Sequence, residues 1–247
     1  MPLVAPRAMR AAAAVVTACR AGRTTIPTLR SAPPLTLRQT GPYTVHLIST
    51  AAGPLGGDQL ELDLDVAPHT TLEVRSVAST LVLPGAGRSA MRVSARVGAG
   101  ATLRFVPEPT VLAAGCDHIL SVRLALDPAA RAVWREEIVL GRHGERPGRC
   151  RTRFDATVGG RPLLRQELSL GTGLDASPAV LAGATCVGNT LLAGDRPQTA
   201  VVGDGVGDGV VVLPLAGPGV LVSALAGDAV ELRARLEWGE SRARESR

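Results

Sequence analysis

The chain contains no lysine: all 27 of its basic residues are arginine. It is almost as poor in aromatics, with two Phe, two Trp and one Tyr in 247 residues. A core with so few rings must be built from Val, Leu and Ala, which suits thin, closely stacked layers. Sites that stack sugars or unpaired bases need aromatic platforms, so five aromatics also argue against such ligands. The net charge of +5 is carried by scattered arginines, whereas phosphate-backbone binding requires clustered cations. A solvated basic surface is therefore expected, with no nucleic-acid partner. The four cysteines (Cys19, Cys116, Cys150, Cys186) lie far apart and form no C-x-x-C pair. That excludes a zinc knuckle and a disulfide framework, and points to buried thiols in a reducing compartment. No stretch approaches the ~20 apolar residues needed to cross a bilayer. A G-K-[ST] phosphate loop and a G-x-S-x-G elbow are missing as well, and the four histidines are dispersed.

What is present begins with "MPLVAPRAMRAAAAVVTACR". Its apolar run, Ala11–Ala18, is too short and too weakly hydrophobic for a signal peptide. It reads as an extension running into a first strand, in a cytoplasmic protein.

Beyond it the dominant signal is alternation. After Gly56-Gly57-Asp58, the residues Leu60, Leu62, Leu64 and Val66 alternate with Glu61, Asp63 and Asp65. Strand side chains point to opposite faces every second residue, so one face is buried and the other is acidic. The turn Ala67-Pro68-His69-Thr70 follows, and then Leu72 and Val74. The figure returns with Met91, Val93, Ala95 and Val97, and again with Leu120, Val122, Leu124 and Leu126. A looser copy runs from Phe154 through Val158 to Leu163-Leu164. A period of roughly 30 residues signals stacked repeats, because a lone hairpin cannot bury its own face. The fold class expected is all-β, a layered β-helix or solenoid-like stack of antiparallel hairpins. The stretches between the copies ("STLVLPGAGRS", "VPEPTVLAAGCD", "GRHGERPGRC") are expected to project from its sides.

The last part changes texture. Residues 203–210, "GDGVGDGV", read as a flexible Gly/Asp loop. Val210–Leu215 and Val220–Leu225 read as a hairpin. From Asp228, a plausible N-cap, a short helix is expected over 228–238. The whole chain, 1–247, is expected to form one domain.

Few residues suggest chemistry. Asp58 closes a glycine turn and suits a side chain bonding its own backbone. Cys116 and His118 lie two apart on an extended segment and share a face, which suits a soft metal contact better than proton transfer. Glu108, held between Pro107 and Pro109, is presented at a fixed angle. In "VWREEIV", Arg135 and Glu137 fall on the strand face opposite Glu136. One reading is a solenoid hydrolase with Glu108 and Glu137 as paired carboxylates at a groove. The residues alone point more strongly to an all-β protein with no recognisable catalytic constellation.

Several stretches together resemble the urease accessory protein UreD (UreH) family. They are "GPLGGDQLELDLDVAPHTTLEVRSVAST" (Gly53–Thr80), "TLRFVPEPTVLAAGCDHILSVRLALDPAARAVWREEIVLGRHGE" (Thr102–Glu145) and "RCRTRFDATVGGRPLLRQEL" (Arg149–Leu168). "SPAVLAGATCVGNTLL" (Ser177–Leu192) fits more weakly, and residues 1–40 show little likeness. The order of elements carries the resemblance: G-G-D before an acidic strand, P-E-P after a strand, then W-x-x-E with G-R-x-x-G-E. It implies a β-helix-like fold and a role without catalysis. It also implies a maturation scaffold that docks on the urease structural subunits with UreF and the GTPase UreG and helps pass Ni²⁺ to the urease site. No cofactor would be tightly bound, and Ni²⁺ would be held only in transit. On that reading Asp58, Glu108 and Glu137, with Cys116 and His118, contribute to or support the passage. Asp58 and Glu108 occupy the G-G-D and P-E-P positions, whereas Cys-x-His is not a family feature. One departure is "ASTLVLPG" at Ala78–Gly85, which lacks the basic and aromatic residues usual there.

Overall fold

The computed structural model describes residues 8–171, 173, 177–194, 206–207 and 209–245. The chain opens with two antiparallel pairs, β1 (Arg10–Arg20) with β2 (Arg23–Arg30) and β3 (Leu35–Gln39) with β4 (Thr44–Ser49). Three successive coils follow. The first contains β5 (Gln59–Val66), β6 (Thr71–Ser76) and β7 (Thr80–Val82). The second contains β8 (Ser89–Val97), β9 (Thr102–Phe105) and β10 (Thr110–Leu112), and the third β11 (Asp117–Leu126) and β12 (Arg131–Val139). A hairpin of β13 (Arg149–Val158) and β14 (Arg161–Leu170) completes the stack. The C-terminal part comprises β15 (Cys186–Ala193), β16 (Val206–Gly207), β17 (Val210–Pro214), β18 (Gly219–Ala226) and one helix, α1 (Ala229–Glu245).

The expected solenoid is present, with about four turns, but most of its pairing differs from the hairpins expected. Strand β5 does not pair with β6. It lies between β1 and β8, in a seven-stranded sheet ordered β14-β13-β11-β8-β5-β1-β2. Strand β6 belongs to a second, eleven-stranded sheet whose main path is β16-β17-β18-β15-β12-β9-β6-β4-β3. Through the middle of both sheets the strands run parallel. The turn at Ala67–Thr70 therefore carries the chain from one sheet to the other. Each corner bonds to the corner of the next coil: the Gly98 amide to the Val66 carbonyl at 2.8 Å, and the Asp127 amide to Val97 at 2.9 Å. Alternation marks strands and turns but is identical for a hairpin arm and a solenoid arc, so it could not fix the partner. Only the β13–β14 and β17–β18 pairs are hairpins as expected. Two of the three connections expected to project carry short strands instead, and β10 pairs in parallel with β7 and β12.

Between the sheets the inward residues of each coil stack on those of the next. Leu62, Val93, Val122 and Phe154 lie in register across β5, β8, β11 and β13. They face Leu72, Leu103, Trp134 and Leu191 from the other sheet in one core. Three of the five aromatics meet there, with Phe105 stacked on Trp134 at 4.1 Å between centroids and Phe154 tilted against it at 5.7 Å.

Helix α1 runs seven residues past the expected end. Its start is capped by Asp228, whose carboxylate accepts the Glu231 amide at 2.8 Å, while Glu231 reaches back to the Gly227 amide. Leu232, Leu236 and Ala243 pack on Val222 and Ala224 in a second cluster on the outer face of the eleven-stranded sheet. The helix sits close because Gly239 and Gly188 lack side chains: a Cβ at Gly239 would fall 2.4 Å from Val222. Among the described residues no helix is long and apolar enough to cross a membrane. Of the Gly/Asp stretch 203–210, residues 203–205 and 208 lie outside the described residues, and Val206–Gly207 pairs with β17.

Candidate functional site

The registers of the seven-stranded sheet bring four polar residues into one row at one end of the solenoid. Gln59 pairs with Ala90, His118 with Ser89, and His118 with Cys150, so Asp58, Ser89, His118 and Cys150 form successive steps of one layer. All four are buried. The next layer, Leu60–Met91–Leu120–Thr152, is apolar but for the buried hydroxyl of Thr152. The polar row therefore ends a mostly apolar stack.

Asp58 is fully engaged within that row. One carboxylate oxygen accepts the Met9 amide at 2.8 Å and the other the Leu55 amide at 2.9 Å. It holds the glycine turn closed and fixes the approach to β1, as a turn carboxylate does. His118 lies 2.8 Å through Nδ1 from the Ser89 hydroxyl. Burial drives its pKa down to about 4, so the imidazole is neutral at cellular pH. In the tautomer whose Nδ1–H donates to Ser89, Nε2 carries the lone pair that a cation would use. Cys116 is buried nearby, and burial, reinforced by the charge of Asp117, lifts its thiol to about 11. Cys150 is pushed up to about 12, chiefly by burial. Thiols so far from ionisation react slowly with electrophiles at neutral pH.

Strand β12 forms the facing wall, and its two faces differ. Trp134 packs in the core, so Glu136, two residues on, points inward with it, while Arg135 and Glu137 point out toward α1. Glu136 borders an interior cavity of about 190 Å³, whose deeper wall includes Trp134, Phe105 and His118. Exposed Ser49, Val77, Ala78 and Ser79 line its outer end, so it opens to solvent there. Burial lifts the Glu136 carboxyl to about 7, opposed in part by the indole N–H of Trp134. That N–H approaches Glu136 without completing a well-formed hydrogen bond, and the Asn189 side-chain oxygen, on the residue paired with Glu136, is also buried without a partner.

On the outer face Arg135, Glu137, Glu240, Glu108 and Arg233 are all paired. Arg135 donates through Nε to Glu240 of α1 at 2.9 Å, and Thr190 donates to the same carboxylate at 3.0 Å. Arg233 of α1 bridges the other two carboxylates, with Glu108 at 2.9 Å and Glu137 at 3.3 Å. Burial raises the Glu137 pKa, against the pull of Arg233 and Arg135. Glu108 is held at the cavity rim by its own amide, which donates to Ser76 at 2.8 Å.

Of the five candidates, His118 and Glu108 meet at the cavity. Glu137 touches its end but is neutralised from α1, while Asp58 and Cys116 do not line it. Among the described residues no group of three or more His, Cys, Asp and Glu is placed to hold a metal ion. The carboxylates proposed as a hydrolytic pair, Glu108 and Glu137, are bridged by one guanidinium instead of opening on a groove. The residue missed from the sequence is Glu136. Its parity with Trp134 was visible, but nothing local showed which face of "VWREEIV" turns inward.

Fold and site together define a β-solenoid with a mainly apolar, carboxyl-bordered cavity in its interior and a C-terminal helix clamped to its outer face. The family model for the UreD urease accessory protein matches residues 9–246. The urease accessory protein UreD of Parafrankia sp. (strain EAN1pec) is 44% identical over 271 residues, covering 96% of this chain and 91% of that protein. That of Streptomyces avermitilis is 40% identical over 228 residues, covering 87% of this chain and 90% of its own length. The chain belongs to the UreD family of urease accessory proteins, as the resemblance implied, and its role is that of an accessory protein in urease maturation rather than a catalyst.

Proposed function

We propose that this chain helps deliver Ni²⁺ to apo-urease through the solenoid interior, in the cytoplasm, while docked between the urease structural subunits and a UreF–UreG assembly. The observation that carries this reading is the chamber's donor set. A delivery route must bind its cargo weakly enough to release it, and a cage of thiolates and imidazoles would trap it. Here the cavity offers one rim carboxylate, Glu108, one inner carboxyl, Glu136, and one neutral imidazole, His118. Glu136 holds its proton to about pH 7 because of burial, so an arriving cation must displace that proton, which keeps retention low. Glu137 supports the rim through Arg233, and Asp58 supports the row in which His118 sits. Cys116 packs behind that row.

The test is co-expression of urease with its accessory proteins at limiting nickel, with and without this chain. Association with urease, UreF and UreG is read by pull-down, and nickel per urease active site by elemental analysis. Association with a several-fold rise in bound nickel is expected. No association and unchanged nickel content would overturn the reading.

A further inference from the structure

The cavity has a second property that metal passage does not use. Its wall is mainly apolar, built by Leu60, Met91, Val93, Phe105, Leu120 and Trp134, with His118 and a few hydroxyl groups beside the carboxylates. At about 190 Å³ it exceeds the ~150 Å³ engineered cavity that accommodates benzene. A body of about eight to ten non-hydrogen atoms fits. Its polar features are unevenly charged. Glu108 and Glu137 are paired with Arg233, but Glu136 pairs with no arginine among the described residues. An anion would meet carboxylates, and a metal ion would find no group of three donors among the described residues to hold it beyond transit. A single positive nitrogen, by contrast, would supply the counter-ion that Glu136 lacks among the described residues.

We propose that this cavity is a binding site for a small apolar molecule bearing one ammonium or amidinium group, its ring or chain among Leu60, Met91, Val93 and Leu120 and its nitrogen on Glu136. The site stands on cavity shape and charge alone, so it holds whether or not nickel travels there. The chain's two tryptophans make binding measurable, since Trp134 lines the cavity while Trp238 lies on α1, partly exposed. In a Trp238→Phe background, Trp134 emission is titrated with 2-phenylethylamine and with its neutral isostere, 2-phenylethanol.

The expected result is saturable binding of the amine at about 0.1–1 mM and at least about tenfold weaker binding of the alcohol. Glu136→Gln removes that preference, lowering amine affinity about tenfold and leaving the alcohol unchanged; the retained alcohol binding reports an intact cavity. Val93→Phe fills the space and abolishes both. Absence of saturable binding, equal affinity for amine and alcohol in the unmodified protein, or a preference that survives Glu136→Gln would overturn the proposal.

Discussion

Two adjacent glutamates on β12 live in opposite worlds. Glu137 faces α1, where two arginines surround it and every neighbouring charge is paired. Glu136 faces the solenoid interior, near the indole N–H of Trp134 and the Cys150 thiol and with no arginine paired to it among the described residues. The outer face is a lock, in which buried ions stay charged because each has a partner, and the helix stays put. The inner face is a chamber, where a carboxyl is left without a counter-ion and therefore holds its proton. One strand supplies both environments because side chains alternate.

The largest effect is expected from breaking the lock. Arg135→Ala leaves buried Glu240 with only the Thr190 hydroxyl and the longer, 3.7 Å contact to half-exposed Arg244, at a cost of about 3 kcal/mol. A urea titration followed by far-UV circular dichroism measures it, and a loss below about 1 kcal/mol would show the lock to be ornamental. A smaller, pH-dependent effect is expected in the chamber. Because the folded Glu136 carboxyl titrates near 7 and the unfolded one near 4.5, the folded state favours the protonated form. The Glu136 contribution to stability is then fully present below about pH 4.5 and is lost as the pH rises through 7. Glu136→Gln, which cannot ionise, should therefore raise stability at pH 8 by about 1–3 kcal/mol and change little at pH 4.5. Denaturant midpoints at the two pH values decide it; an equal shift at both would mean that Glu136 is not held neutral. His118 acts in the reverse direction in both proteins, stabilising above about pH 6.5 and losing that contribution as the pH falls toward 4. The smallest effect is kinetic. Exposed Cys19 should react promptly with iodoacetamide at pH 7.5, whereas Cys116, Cys150 and Cys186, buried and raised in pKa, react only on unfolding. Mass spectrometry of labelled peptides reads this, and prompt labelling of Cys116 or Cys150 would mean that the chamber end opens.

Much of the fold could be read from the residues. The alternation at Leu60–Val66 and the 30-residue recurrence identify stacked strands, and Asp228 marks the start of the helix. Strand partners could not be read, because Leu72 alternates identically whether it returns beside Leu64 or crosses to the other sheet. Asp58 shows the limit for sites. Its turn chemistry is local and legible, and both its oxygens bond backbone amides. The clamp between Arg135 and Glu240 spans 105 residues and leaves no local pattern. Glu136 was hidden differently: periodicity assigned it the face opposite Glu137 but could not say which face is inside.

The most direct test of the account compares the two glutamates in one assay. Urease is co-expressed at limiting nickel with this chain unmodified, as Glu136→Gln, or as Glu137→Gln, and nickel per active site is measured in the purified urease. Glu136→Gln is expected to lower nickel loading several-fold, and Glu137→Gln to lower it less, in proportion to any loss of folded protein. Unchanged loading with Glu136→Gln in a folded, urease-associated protein would contradict the account.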